Sequence, residues 1–210
     1  MADTKISALT ELTTPASTDE YAINDGGVSK RITARNSLKQ TLTQEIWIGA
    51  EAFISSVTAG AQISSRETSS NLVNYTYAGF DTAADESVWF TWTPPANWNA
   101  GTIDFTYHWT NLDGVTTDVV SFDLAGVALA DNDALDTALG TAITVADTWI
   151  AQGDLHISAQ SAAVTIAGTP AAGEQVHFRL LRDVSDDDLV GDADILGVVI
   201  EYSVTDMGTT

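Results

Sequence analysis

Ile103-Asp104-Phe105-Thr106-Tyr107-His108-Trp109 alternates without a break, with apolar or aromatic side chains at odd positions and polar ones at even positions. Successive side chains of a β-strand point to opposite faces, so this stretch reads as a strand with one face buried and the other turned outward. The same period recurs in Gln175-Val176-His177-Phe178-Arg179-Leu180, with His177 and Arg179 outward. Working outward, short β-rich runs follow one another at 46–48, 71–78, 87–93, 102–110, 119–130, 155–158, 163–167, 174–181 and 195–204. Turn residues separate them: Pro94-Pro95, Asn99-Ala100-Gly101, Asp113-Gly114, Gly153-Asp154 and Gly168-Thr169-Pro170. Eight or nine strands at this spacing predict an all-β antiparallel sandwich of jelly-roll type. One short helix is expected over Asp131 to Gly140, because acids at its start suit the helix dipole, Leu135 and Leu139 share a face, and Gly140 stops it.

The chain has 210 residues, enough for one core-bearing domain plus an extension. With 44% hydrophobic residues and six Trp, five Tyr and six Phe it is too apolar for a disordered polyanion, despite a formal charge of −21. That charge is unevenly placed. Residues 1–44 carry five basic and five acidic side chains, whereas 45–210 carry only Arg66, Arg179 and Arg182 against 24 acids. The expected organisation is therefore a neutral N-terminal arm with its linker, 1–44, followed by an acidic sandwich domain, 45–210. Within the arm, Tyr21-Ala22-Ile23, Asn24-Asp25-Gly26-Gly27 and Val28 to Ile32 read as a β-hairpin, and Thr33 to Gln40 as one or two helical turns. An acidic body repels phosphate backbones, so no nucleic-acid partner is expected. No apolar run is long enough for a membrane span and no secretory signal is apparent, so no membrane insertion is expected. The absence of Cys removes disulfides and thiolate chemistry.

Metalloprotease, P-loop, nucleophile-elbow and dinucleotide motifs are absent, so no catalytic residue is assigned and the chain reads as non-enzymatic. His108, His156 and His177 read as three solvated strand residues, with a three-histidine metal site as the alternative. Calcium is the one cofactor considered, since it takes clustered carboxylates. The candidates are Asp131, Asp133 and Asp136, and, in the second cluster, Asp186, Asp188 and Asp192. The plainer readings are a helix start and a solvated loop. Trp92, Trp98 and Trp109, close to Pro94-Pro95, are candidates for a sugar-stacking platform, or else for core packing or a subunit interface.

Three pieces of the arm occur in a telling order: Lys5-Ile6-Ser7-Ala8-Leu9-Thr10-Glu11-Leu12, Thr18-Asp19-Glu20-Tyr21-Ala22-Ile23, and Gly26-Gly27-Val28-Ser29-Lys30-Arg31-Ile32-Thr33. Together they resemble the N-terminal segment of tailed-bacteriophage tail-fibre and related virion appendage proteins, with Thr10 where proline is usual. In the body, Ala128 to Asp136, Gly153 to His156 and Ile166 to Glu174 resemble a β-sandwich domain of phage structural proteins. The resemblance implies a virion structural protein on the particle surface, made in the host cytoplasm. Its partners would be other virion proteins and two sister chains in a homotrimer, with a host surface glycan or receptor beyond them. Ile6, Leu9, Leu12, Tyr21, Ile23, Val28, Lys30 and Arg31 are the expected attachment residues. Two other readings stand beside the appendage: a head decoration or cement protein, which mutual repulsion between acidic bodies disfavours, and a carbohydrate-binding module.

Overall fold

The computed structural model describes residues 20–25, 27–33 and 42–205. Contacts divide the chain between Leu42 and Thr43 into two units, the larger being Thr43–Val204. In the smaller unit, β1 (Glu20–Asp25) pairs antiparallel with β2 (Val28–Thr33), and Asp25 faces Val28 across the turn. Gly27 sits at φ +82°, a conformation that glycine adopts without steric cost. The predicted hairpin is therefore present. The expected helical turns at 33–40 and the attachment residues Ile6, Leu9 and Leu12 lie outside the described residues, Thr33 excepted.

The larger unit is an antiparallel two-sheet sandwich of jelly-roll type. In chain order its strands are β3 (Leu42–Gly49), β4 (Ile54–Ser55), β5 (Gln62–Glu67), β6 (Asn74–Phe80), β7 (Glu86–Trp92), β8 (Trp98–Thr110), β9 (Val119–Leu129), β10 (Ile143–Thr148), β11 (His156–Ile157), β12 (Gln175–Arg182) and β13 (Ala193–Val204). One sheet runs β10-β9-β12-β7-β4; the other runs β11-β8-β13-β6-β5, with β3 also paired to β13. Alternation placed β8 and β12 correctly. On β8, Ile103, Phe105, Tyr107 and Trp109 are buried and the residues between them face outward; on β12, Val176, Phe178 and Leu180 are buried.

Aromatic rings fill the space between the sheets. Phe90 stacks on Phe178 at 5.3 Å, and Phe122 meets both Phe80 and Tyr107 at 5.0 Å. Such pairs add about 0.5–1.5 kcal/mol each beyond their buried area. The Tyr107 hydroxyl crosses from one sheet to the other and donates to the Val120 and Val145 carbonyls, at 3.3 and 3.2 Å. Burial pushes this hydroxyl well above the usual phenol range, so it remains a donor throughout the physiological range.

Three expectations fail. Residues 131–140 form no helix. Asn132 has a left-handed φ of 71°, the Asp133 carboxylate accepts from the Ala130 amide, and Leu135, 81% exposed, buries nothing. A ten-residue helix needs an apolar face to pack, and here local side-chain bonds win instead. Residues 163–167 are not a strand but touch the sheets through isolated bridges at Val164 and Ala167. Conversely, β4, β5 and β10 went unpredicted. They lie at or beside a sheet edge, and sequences such as Gln62-Ile63-Ser64-Ser65-Arg66-Glu67 carry too few apolar residues to announce a strand.

The deepest polar feature is Arg182, fully buried at the inward position that continues the Val176-Phe178-Leu180 series. Its Nε and Nη2 make a two-pronged pair with Asp187 at 2.7 and 3.0 Å. Nη1 donates to the Phe80 and Gly191 carbonyls, and Nη2 also donates to that of Leu189. All five guanidinium N–H groups are thus satisfied. A buried ion pair broken on one side typically loses about 3–5 kcal/mol. Asp187→Ala is therefore expected to lower the thermal midpoint by roughly 10 °C, whereas Asp186→Ala, on the exposed side of the same loop, leaves it nearly unchanged. Thermal denaturation of the two variants beside the parent checks this, and equal midpoints would remove the pair from its structural role.

Candidate ligand-binding face

The outer face of the six-stranded sheet is built around β13. Ala193, Ile195, Val198 and Ile200 of this strand enter the core. A β-bulge lies between Ile195 and Gly197: Trp109 opposes Ile195, His108 opposes Gly197, and Leu196 has no opposite number on β8. The extra residue resets the alternation, so Asp194, Gly197, Val199 and Glu201 share the outer face. Each of these positions carries a distinct chemical environment.

Over Gly197 lies the indole of Trp47. A Cβ added at Gly197 would stand 2.4 Å from Trp47 Cζ2, so only glycine admits the ring there. Ile46 and Ile48 point into the core, which leaves Trp47 on the outer face, where it remains 47% exposed and rests against His108 at 4.8 Å. Burial holds the His108 imidazole below its ordinary pKa, so this partner is neutral at pH 7.

Toward the start of β13, a polar cleft of about 130 Å³ is lined by Gln62, Arg66, Tyr77, Asp113, Asp192 and Asp194. Arg66 pairs with Asp194, donates to the hydroxyls of Tyr75 (3.5 Å) and Tyr77 (3.3 Å), and lies 4.5 Å over the Tyr77 ring. Burial raises the Asp194 pKa, with Asp192 and Asp113 adding to the shift and Arg66 opposing it. Toward the other end, a second small cleft is lined by Glu45, Thr106, Gln160, Val199 and Glu201. Gln160 donates to Glu201 at 2.7 Å, and Asp104 faces Glu201 across the strands; burial and that facing carboxylate raise the Asp104 pKa. The face therefore offers an exposed ring between two groups of hydrogen-bonding side chains, and among the described residues its carboxylates outnumber its one cation, Arg66.

The sequence pointed to other tryptophans. Trp92, Trp98 and Trp109 are 4%, 5% and 0% exposed and pack inside, Trp92 against both Trp98 and Tyr202. They form no sugar platform, because no ligand ring reaches a buried indole. Trp47 went unnoticed although Ile46-Trp47-Ile48 carries the signal: two apolar neighbours that turn inward must turn the residue between them outward.

The calcium candidates do not assemble. Among the described residues no group of three or more His, Cys, Asp or Glu side chains is placed to hold a metal ion. Asp133 instead holds the Ala130 amide, Asp188 holds the Val119 amide at 2.6 Å, and Asp192 lines the polar cleft, while Asp131, Asp136 and Asp186 stand exposed in loops. The histidines also lie apart. His108 is on the outer face of β8, and His177, on the other sheet, bonds Gln175. His156 is buried, contrary to its surface reading. It lies against Trp109 and Trp149, and its Nε2 accepts the Ile150 amide at 2.9 Å. Of the expected attachment residues, Tyr21 and Ile23 lie on β1 and Val28, Lys30 and Arg31 on β2, with Ile23 opposite Lys30; Val28 is exposed. No described helix is long and apolar enough to cross a membrane.

No protein-family model matches the chain, and no curated protein matches it. Among solved structures it is similar to a carbohydrate-binding module specific for non-crystalline cellulose, CBM28, at 9% identity and a TM-score of 0.44 over 70% of this chain and 86% of that one. A family 11 carbohydrate-binding module from Clostridium thermocellum, in complex with a β-1,3-1,4-mixed-linked tetrasaccharide, is 10% identical at a TM-score of 0.42 over 74% and 94%. The mannan-recognising module TmCBM27 is 9% identical at a TM-score of 0.41 over 78% and 98%.

Proposed function

We propose that this protein is a non-catalytic binding protein whose sandwich takes an uncharged glycan along β13, on the outer face of the six-stranded sheet. The observation that carries this reading is Trp47, a large ring left nearly half exposed on a glycine that only such a ring needs. The C–H face of a pyranose is apolar and flat, and packs on an indole; its rim of hydroxyls needs donors and acceptors on either side. Arg66, Gln62 and the exposed Asp192 supply them toward one end of the strand, and Gln160, Glu45 and Glu201 toward the other. A few polar groups converging beside an apolar surface are what orient a small ligand. The carboxylates set the charge class. Uronic acids, sialic acids and phosphorylated sugars meet Asp104, Glu201, Asp113 and Asp192 on this face, and Arg66, its one cation among the described residues, is already paired.

Binding is expected on an array of neutral oligosaccharides and not on their uronic-acid counterparts. Trp47→Ala is expected to weaken binding at least tenfold by calorimetry while the thermal midpoint stays near that of the parent. Undiminished affinity in this variant would remove the face from the reading.

A second reading concerns where the module is carried, and the order of the three arm segments favours it: residues 1–44 attach the protein to a tailed-phage particle as a surface appendage, with the sandwich displayed outward toward the host. The arm is neutral and approaches other protein surfaces without a repulsive field, while the charge sits on the body. Trimer formation and the choice of appendage over head decoration belong to the same proposal. Deleting residues 1–40 is expected to leave a body with the parent's melting behaviour that no longer enters particles. Normal incorporation, read by immunoblotting of purified virions, would overturn the assignment of attachment to the arm.

A further inference from the structure

Between Trp47 and the polar cleft, the face holds an apolar hollow that hydrogen bonding to sugar hydroxyls leaves unexplained. This cleft, of about 320 Å³, is lined by Val73, Tyr75, Thr110, Leu155 and Leu196, among others. Leu196 is the bulge residue of β13, so the irregularity that keeps Asp194 and Gly197 on one face also delivers a leucine to the space between them. Val73 and Leu155 are 56% and 58% exposed, an expensive way to leave aliphatic side chains unless something covers them. Tyr75 joins the two clefts: its ring lines the apolar one, its hydroxyl accepts from Arg66 in the polar one, and its centroid is 6.1 Å from that of Tyr77.

Resting on the glycan reading above, we infer that the ligand carries an uncharged substituent with an apolar methyl end, an acetyl group on nitrogen or oxygen, whose methyl enters the hollow beside Leu196 while the ring it belongs to is held by Trp47 and the Arg66 cleft. The occupant follows from continuity and charge. The hollow opens within the same row along β13, so the group filling it belongs to the same ligand. Its aliphatic walls favour a methyl end, and the carboxylates of the polar cleft, Asp113 and Asp192, disfavour an anion. A bare hydroxyl there meets Val73, Leu155 and Leu196, leaving it poorly hydrogen-bonded.

Calorimetry with two matched neutral pairs tests this: chitotetraose against cellotetraose, and O-acetylated against de-O-acetylated mannan oligosaccharides. In at least one pair the acetylated member is expected to bind about tenfold more tightly, a ratio in the range reached when a small apolar group fills a fitted pocket. Leu155→Asn and Val73→Asn, both at exposed positions, are expected to shrink that ratio toward one. Equal affinities within both pairs, or tighter binding of the unacetylated members, would overturn the inference and leave the glycan reading standing. A ratio unchanged in both variants would move the substituent out of this hollow. Failure of all four oligosaccharides to bind would instead remove the glycan reading on which the inference rests.

Discussion

The guanidinium of Arg182 is the constraint around which the acidic body is organised. A fully buried cation must find partners for its charge and for five N–H groups, and here all of them lie within reach. Asp187 neutralises it from the following loop, and the Leu189 and Gly191 carbonyls come from the same loop. The Phe80 carbonyl comes from β6 in the opposite sheet. One side chain on β12 thus ties the five-stranded sheet to the six-stranded one and holds the connection that leads into β13. The Asn111 side chain completes the fixing by donating to the Val190 and Asp192 carbonyls. Asp194 follows immediately, and its place opposite Arg66 depends on where that loop ends. The polar cleft of the ligand-binding face is therefore positioned from within the core.

Two of the three arginines of the body are committed to carboxylates, Arg182 to Asp187 and Arg66 to Asp194. Part of the acidic run at 183–194, which in sequence looks like a solvated loop or a calcium site, therefore consists of counter-ions. The alternation that located β12 contained the clue: positions 176, 178 and 180 are inward, and the next inward position is Arg182. A cation on a core face requires a buried acid, and the nearest acids follow directly in sequence. Which of them closes the pair is set by loop geometry, and so lay beyond reach of the pattern.

Period-two alternation made the layered architecture and the orientation of β8 and β12 legible, because half-buried strands write their two faces into the chain. Strands whose pairing depends on neighbours left no such mark: β5 has Ile63 as its one apolar residue, and β4 has two residues in all. The predicted helix shows the converse error. Spacing of Leu135 and Leu139 suggested a face, but a face matters only when something packs on it, and Asn132 and Asp133 already had local conformations to adopt. The binding face was hidden for a related reason. Tryptophan counts drew attention to Trp92, Trp98 and Trp109, which the core consumes, whereas Trp47 is informative only through its two inward-facing neighbours and through Gly197, 150 residues further along the chain. No local pattern links those two positions.

The irregularities of β13 shape the outer face of the six-stranded sheet. A regular strand would present side chains of similar height at every second residue, and a ligand would meet a corrugated plane. Gly197 lowers one position enough for an indole to lie across it, and the bulge at Leu196 brings an aliphatic group into a gap that a regular strand would leave to backbone. Asp194, held by Arg66, ends the row with hydrogen-bonding capacity but little exposed carboxylate, since its side chain is only 6% accessible. Because the bulge sets three residue steps of β13 against two of β8, the positions from Asp194 to Gly197 span roughly 7 Å at a strand rise of about 3.3 Å per residue. The surplus of negative charge then serves two ends at once. It opposes anions at this face, and it makes copies of the body repel one another at close approach.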